Sequence, residues 1–81
     1  MEIQLIHGEF SSNEALELLT QMIHVKIKYH ESKISKHGSE EDVKYRESKI
    51  KRLQKELYEI RNSMDEKNGN VKLDAIIKIE I

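Results

Sequence analysis

Four histidines supply the imidazole nitrogens that most often bind metal ions in proteins. His30 and His37 are seven residues apart, so a helix places them on one face but about 10 Å apart along its axis, too far to share an ion. Lys33 and Ile34 occupy the positions between them where a further ligand would be needed. Because no His-x-x-x-His or Glu-x-x-His spacing occurs, we expect no metal and no other cofactor. If His30 or His37 lies in an interface, we expect stability to fall as the pH drops through about 6.5.

A strongly basic segment is the second chemical feature of the sequence. Residues 1–25 carry four acidic and no basic side chains, whereas residues 26–55 carry ten basic and five acidic ones. Within the second range, the basic residues that could contact a phosphate backbone are Lys44, Arg46, Lys49, Lys51, Arg52 and Lys55. They fall on several sides of a predicted helix, and Tyr45 is the only aromatic residue among them, so a solvated helix surface is the competing interpretation. Nucleic-acid association through this segment is therefore the alternative function.

Catalysis has weaker support in the sequence. His7, Glu9, Ser11 and Ser12 are close together in the chain and could act as acids, bases or nucleophiles. A role in capping the following helix already accounts for the two serines. There is no glycine-rich phosphate loop, nucleophile elbow or paired-carboxylate motif. We therefore expect a protein that is not an enzyme.

Composition limits what the remaining residues can form. The 81 residues predict a single domain (1–81) in which 36% of the residues are charged and 37% are apolar. Without proline, long helices can run uninterrupted, and without cysteine there is neither a disulfide nor a thiolate metal site. No apolar run approaches the roughly 20 residues that a membrane span needs. We expect a cytoplasmic protein, of a kind common among small bacterial proteins.

Two long helices dominate the predicted architecture. The apolar residues that recur at alternating spacings of three and four, as in a coiled-coil seam, are Ile50, Leu53, Leu57, Ile60 and Met64. We predict helices over about 12–37 and 40–66, joined by a turn at Gly38, which makes them an antiparallel helical hairpin. A capping box of Ser11 and Glu14 starts the first helix, and Ser39 caps the second.

Both ends of the chain are predicted to be strands. Residues 2–7 alternate so that Ile3 and Leu5 share one face while Ile6 lies on the other, and Gly8 then allows a turn. Residues 71–81 alternate almost strictly, with an apolar residue at every odd position. The predicted fold class is α+β, in the order β-α-α-β, with a small antiparallel sheet.

Self-association is expected because an isolated two-stranded ribbon is only marginally stable. A homodimer could join two ribbons into a four-stranded sheet, or the helices could lie across the ribbon within one chain. The first helix also carries an apolar face beyond the one that its partner helix needs. The candidate self-association residues are Leu18, Met22, Val25, Tyr29, Ile76, Ile77, Ile79 and Ile81. We predict a homodimeric assembly or protein-interaction module, regulatory roles included, with binding of another protein as an open alternative for the same surfaces.

Overall fold

The β-α-α-β order predicted from the sequence is confirmed. The structure is a computed structural model, and it describes residues 1–36, 39–65 and 69–81. Its elements are, in chain order, β1 (Glu2–Ser11), α1 (Ser12–Lys36), α2 (Glu40–Asp65) and β2 (Asn70–Lys78). The two strands pair antiparallel in a two-stranded sheet, and the two helices pack together as a hairpin.

Three predicted features fall outside the described residues. These are the turn at Gly38 and the predicted ends of the helices at residues 37 and 66. At the other end of the chain, β2 stops at Lys78 rather than at residue 81. The pairing nevertheless continues by two hydrogen bonds, because Ile79 N–H donates to the Met1 carbonyl at 2.8 Å and the Met1 amino group donates to the Ile79 carbonyl at 3.1 Å.

Capping side chains fix the start of each helix as predicted. The Glu14 N–H donates to Ser11 Oγ at 3.2 Å, and the Ser11 N–H donates to Glu14 Oε1 at 3.1 Å, which completes the capping box. Hydrogen bonds from the Ser11 hydroxyl and the Ser11 backbone N–H to the Glu14 carboxyl hold the pKa of that carboxyl below its usual value. At the start of α2, the Asp42 N–H donates to Ser39 Oγ at 3.2 Å. Each cap pairs an N–H group that has no partner within its own helix.

Replacing the first cap has a predictable effect. Because Ser11→Ala removes the acceptor for the Glu14 N–H, we expect it to destabilise the fold by about 1 kcal/mol. Thermal unfolding followed by circular dichroism measures the loss. Ser63→Ala, at an exposed position late in α2, is the control and should change stability little. Equal melting temperatures for the two variants would show that the capping box does not hold the start of α1.

The helix seam buries two leucines of the hairpin. Leu53 and Leu57 of α2 are both buried against α1. On α1, Leu16, Ile23 and Ile27 share the facing side and are half-buried. The predicted seam thus packs the two helices together. Among the described residues, Ala15 has no exposed surface, but no large side chain is fully buried.

β1 is longer than the sequence predicted. We expected the strand to end at His7 and turn at Gly8, whereas it continues to Ser11 and passes into α1 without a loop. Gly8 pairs with Leu73 inside the ladder and has a φ of +138°, which a side chain would rarely tolerate. The glycine therefore accommodates an unusual backbone conformation within a continuing strand and does not end it.

A β-bulge at Leu5 changes which residues share a face of the ribbon. Gln4 lies opposite Ile76, but Ile6 lies opposite Ala75, so Leu5 is the extra residue. Paired residues lie on the same face of a sheet. Ile6 therefore shares the face of the odd-numbered β2 residues, and the prediction that it lies on the other side is wrong. Leu5 is exposed rather than buried.

The elements form a thin layer. The Cα atoms span 46 × 33 × 13 Å, and α1 contacts both strands whereas α2 contacts neither among the described residues. The order across the molecule is therefore α2, α1 and then the ribbon. This arrangement leaves broad surfaces of all three without a covering layer.

Candidate functional site

A buried histidine of α1 lies between the two helices, next to an arginine of α2. His30 of α1 is 6% exposed, and the Arg46 Nη1–H of α2 donates to its Nδ1 at 3.0 Å. Because arginine can only donate, the accepting Nδ1 must be unprotonated, which puts the ring proton on Nε2. That Nε2 is buried without a hydrogen-bond partner among the described residues. The sequence analysis considered His30 as a metal ligand and as an interface residue, and it did not predict this pair with Arg46.

The surroundings of His30 favour its neutral form. Burial lowers the pKa of the imidazole below 6.5, and the charges of Arg46, Lys26 and Lys49 lower it further. Protonation would also place an N–H opposite the Arg46 guanidinium and remove the hydrogen bond between them. The pair is therefore compatible with neutral pH and is disturbed by acid.

A basic groove runs beside this pair on one side of the hairpin. The groove has a volume of about 280 Å³ and is lined by Lys26, His30, Lys49, Arg52, Leu53 and Glu56. Arg52 Nε donates to Glu56 Oε1 at 3.3 Å, so one of its cations is already paired in an exposed ion pair. Lys26 and Lys49 keep the net charge of the groove positive.

The six basic residues singled out in the sequence divide into two groups. Arg46, Lys49 and Arg52 lie near His30, in or beside the basic groove. Helical periodicity places the others, which are Lys44, Lys51 and Lys55, on the side of α2 away from α1. Lys44 also forms an exposed ion pair with Glu40, at 3.8 Å. The segment does not form one continuous basic surface.

Aromatic and cationic side chains alternate next to the groove. The Arg46 guanidinium lies 5.7 Å from the ring centroid of Tyr29 and 5.9 Å from that of Tyr45. Lys33 lies 5.6 Å from Tyr29, and Lys49 lies 5.3 Å from Tyr45. Both tyrosines are exposed. The sequence indicated a single aromatic residue here because Tyr29 comes from the other helix.

The opposite side of the hairpin has a wider groove of mixed charge. Its volume is about 550 Å³, and its lining includes Ile27, Glu31, Leu57 and Arg61. This volume is in the range of small-molecule sites. However, its charged residues include both signs. We find no chemistry there that selects a ligand.

A polar cluster on the ribbon accounts for the histidine nearest the N terminus. His7 Nδ1 lies 3.5 Å from Asp74 Oδ1, and Gln4 Nε2 donates to the same oxygen at 3.1 Å. The three residues lie on the exposed face of the sheet opposite to Ile6. Among the described residues, no group of three or more His, Asp or Glu side chains could hold a metal ion.

The candidate self-association residues lie on different surfaces. Ile77 and Ile79 share the ribbon face of Ile6, whereas Ile76 lies on the opposite, more polar face. Val25 and Tyr29 are exposed on α1. Leu18 is half-buried near the start of that helix, and Met22 is 37% exposed. Ile81 is exposed beyond the end of β2.

Comparisons with known proteins give no family for this chain: no family model, no curated protein and no solved structure matches it. In the described part of the chain, neither helix contains a stretch long and apolar enough to cross a membrane.

Proposed function

We propose that the chain is a non-catalytic assembly module that acts as a homodimer. The observation that supports this is the missing second layer. A compact domain of this length has a radius of gyration of about 12 Å, whereas this one has 15.3 Å. Its accessible surface is 6693 Å², and a compact monomer of this mass would expose about 5,100 Å². The excess of about 1,600 Å² per chain is in the range that obligate homodimers bury.

A structural role for the candidate catalytic groups supports the non-catalytic part of the proposal. Ser11 Oγ accepts the capping hydrogen bond of α1, and Ser12 Oγ donates to the Gly69 carbonyl at 3.1 Å. His7 is engaged with Asp74 on an exposed surface of the ribbon. These contacts hold β1, α1 and β2 together, so they give the three groups a structural role.

Molar mass in solution tests the proposal. Light scattering coupled to gel filtration should give twice the 9.6 kDa of one chain. Co-expression of two differently tagged copies, followed by purification on one tag, should recover both copies. A mass of one chain, together with recovery of a single tag, would overturn the proposed homodimer. Capture of another protein by such a monomer would instead favour a module that binds a different partner.

Nucleic-acid association is the second candidate function, and a specific arrangement favours it. Beside the basic groove, the Arg46 guanidinium lies close to the rings of both Tyr29 and Tyr45. Both rings are exposed. Single-stranded nucleic acids bind to such surfaces by stacking their bases and pairing their phosphates with cations. The Arg52–Glu56 ion pair reduces the charge available for this, so we expect weak and strongly salt-dependent binding.

Charge reversal on the two sides of α2 tests this candidate. Lys49→Glu combined with Arg52→Glu changes the groove, whereas Lys51→Glu combined with Lys55→Glu makes the same change in net charge on the side away from α1. If the groove binds, only the first pair should abolish retention on immobilised single-stranded DNA at low salt. Equal losses from both pairs would indicate non-specific attraction, and no retention of the unchanged protein would exclude the candidate.

A further inference from the structure

Helix α1 has apolar residues on two sides, and each side has a different neighbour. Ile23 and Ile27 lie on the side that packs against α2. The side of α1 nearly opposite to this one carries Leu18, Met22 and Val25. Among the described residues the ribbon contacts α1 and not α2, so the side of α1 away from α2 is the one that the ribbon can cover. The helix is therefore the central element of the layer, and its second side depends on the ribbon for cover.

The ribbon covers only the beginning of that second side. Ala15, one turn into α1, has no exposed surface, and Leu18 is half-buried. Farther along the same side, exposure rises to 37% at Met22 and 69% at Val25. A strand packed along the whole helix would cover all four residues equally. The ribbon and α1 therefore diverge from the point where β1 passes directly into the helix.

Exposure along the ribbon has the same trend. Phe10 and Val71 form the pair nearest the helix, on the face that also carries Ile6 and Ala75, and all four residues are half-buried. Ile3 and Ile77 form a pair on this face near the far end, and both are exposed. The apolar face of the ribbon is thus covered near the junction and exposed at the Ile3–Ile77 pair, whereas Ile79 beyond that pair is half-buried.

Together these residues define an apolar wedge, whose two sides are Met22 and Val25 on α1 and Ile3 and Ile77 on the ribbon. A monomer rarely leaves aliphatic residues exposed on both sides of one opening. Burying these side chains would stabilise the protein by about 25 cal/mol for each Å² of apolar surface removed from water. The wedge lies on two elements that are joined without a loop. It is also the part of the molecule where the missing layer would be placed.

We propose that a second copy of this chain closes the wedge about a two-fold axis, with Ile3 and Ile77 of each copy packed against Met22 and Val25 of the other. This inference rests on the proposed homodimer and states which surface forms it. In this arrangement the ribbon of each copy covers the exposed side of α1 in the other copy. Two-fold symmetry requires such an interface, in which both copies use the same residues. The chain as a whole exposes about 1,600 Å² more than a compact monomer of its mass would, and the wedge is part of the surface that a second copy could cover.

Pairing through the edge of the ribbon is the competing geometry. It would satisfy backbone groups at the strand edge but would leave Met22 and Val25 uncovered. The bulge at Leu5 and the positive φ of Gly8 also interrupt the regular course of β1, as protected sheet edges commonly do. We therefore assign the dimer to the apolar face of the ribbon and not to its edge.

Two adjacent residues give a matched test. Ile77 is 44% exposed on the face that forms the wedge, and Ile76 is 53% exposed on the opposite face. We expect Ile77→Lys to halve the mass measured by light scattering, with its helical circular dichroism retained, and Ile76→Lys to remain dimeric. Val25→Glu should act like Ile77→Lys, and since Val25 is mostly exposed in one chain it provides the test if Ile77→Lys does not fold.

The possible outcomes separate this inference from the function on which it rests. If the unchanged protein is a monomer, the proposed homodimer fails and the wedge interface fails with it. If the protein is a dimer and both Ile77→Lys and Val25→Glu remain dimeric, only the wedge is wrong. Dissociation by Ile76→Lys alone would place the interface on the polar face of the ribbon and would also overturn it.

Introduced cysteines locate the interface directly, because the chain has none of its own. Val25→Cys and Ile77→Cys chains are mixed, unfolded, refolded together and oxidised under mild conditions. We expect a disulfide-linked species of twice the chain mass that forms between the two variants. Tyr58→Cys, at an exposed position of α2 outside the wedge, replaces Val25→Cys in the control mixture. Equal cross-linking in both mixtures would contradict the proposed contact.

Discussion

Leu57→Ala should lower the stability of this protein by about 2–3 kcal/mol, one of the two largest effects we expect from a single substitution. Leu57 is 7% exposed and lies in the seam between α2 and α1. Its removal leaves a cavity that two rigid helices cannot fill by relaxation. Because few other side chains are buried, the remaining contacts compensate little. For a domain of this size the melting temperature should fall by roughly 10–20 °C.

Its neighbour on the same helix provides the control. Tyr58 is 66% exposed, so Tyr58→Ala should change the stability by about 0.5 kcal/mol or less, although the side chain removed is larger. Both variants are compared with the unchanged protein at one concentration, because self-association makes the melting temperature depend on concentration. Similar melting temperatures for the two variants would mean that the helices are not held together through Leu57.

Acid should destabilise the protein through His30. Burial and the nearby cations hold the pKa of its imidazole below 6.5, the value expected in the unfolded chain. The unfolded state therefore takes up the proton first as the pH falls. The stabilising contribution is complete above pH 6.5 and is lost progressively below it, down to the pKa of the folded state. We expect the melting temperature to decrease between pH 7.5 and pH 5.

Substitution of His30 isolates this effect. His30→Leu removes the titrating group and should flatten the melting temperature across the same pH range, whereas His24→Gln, at an exposed position of α1, should leave the decrease intact. Glu14, whose pKa is also lowered, contributes a further loss only below its usual value of 4.5, outside this range. A constant melting temperature for the unchanged protein, or a decrease that persists in His30→Leu, would contradict the assignment.

The sequence predicted the features that depend on neighbouring residues. The Ser11–Glu14 capping box, the cap at Ser39 and the seam through Leu53 and Leu57 are all confirmed. Each of them follows from spacings of three or four residues along one helix. The alternation of β2 likewise predicted its apolar face, because period two requires no information from elsewhere in the chain.

The features that the sequence did not reveal depend on distant residues. The bulge at Leu5 can be recognised only against the pairing with β2, and it reverses the face of Ile6. The contact between His30 and Arg46 crosses from one helix to the other, so the pattern along either helix could not predict it. The order of the layer, with α1 between α2 and the ribbon, likewise depends on how the elements are packed.

The pairing of the two strands has a consequence for how this chain folds. Met1 and Ile79 are hydrogen-bonded although 78 residues separate them, whereas the helices are neighbours in sequence. Closing so long a segment costs more conformational entropy than forming a local hairpin, and such contacts form slowly. During synthesis, the isoleucines of β1 must therefore stay unpaired until nearly the whole described chain has been made. For that interval the edge of β1 is unpaired, a condition that favours aggregation of incompletely folded chains.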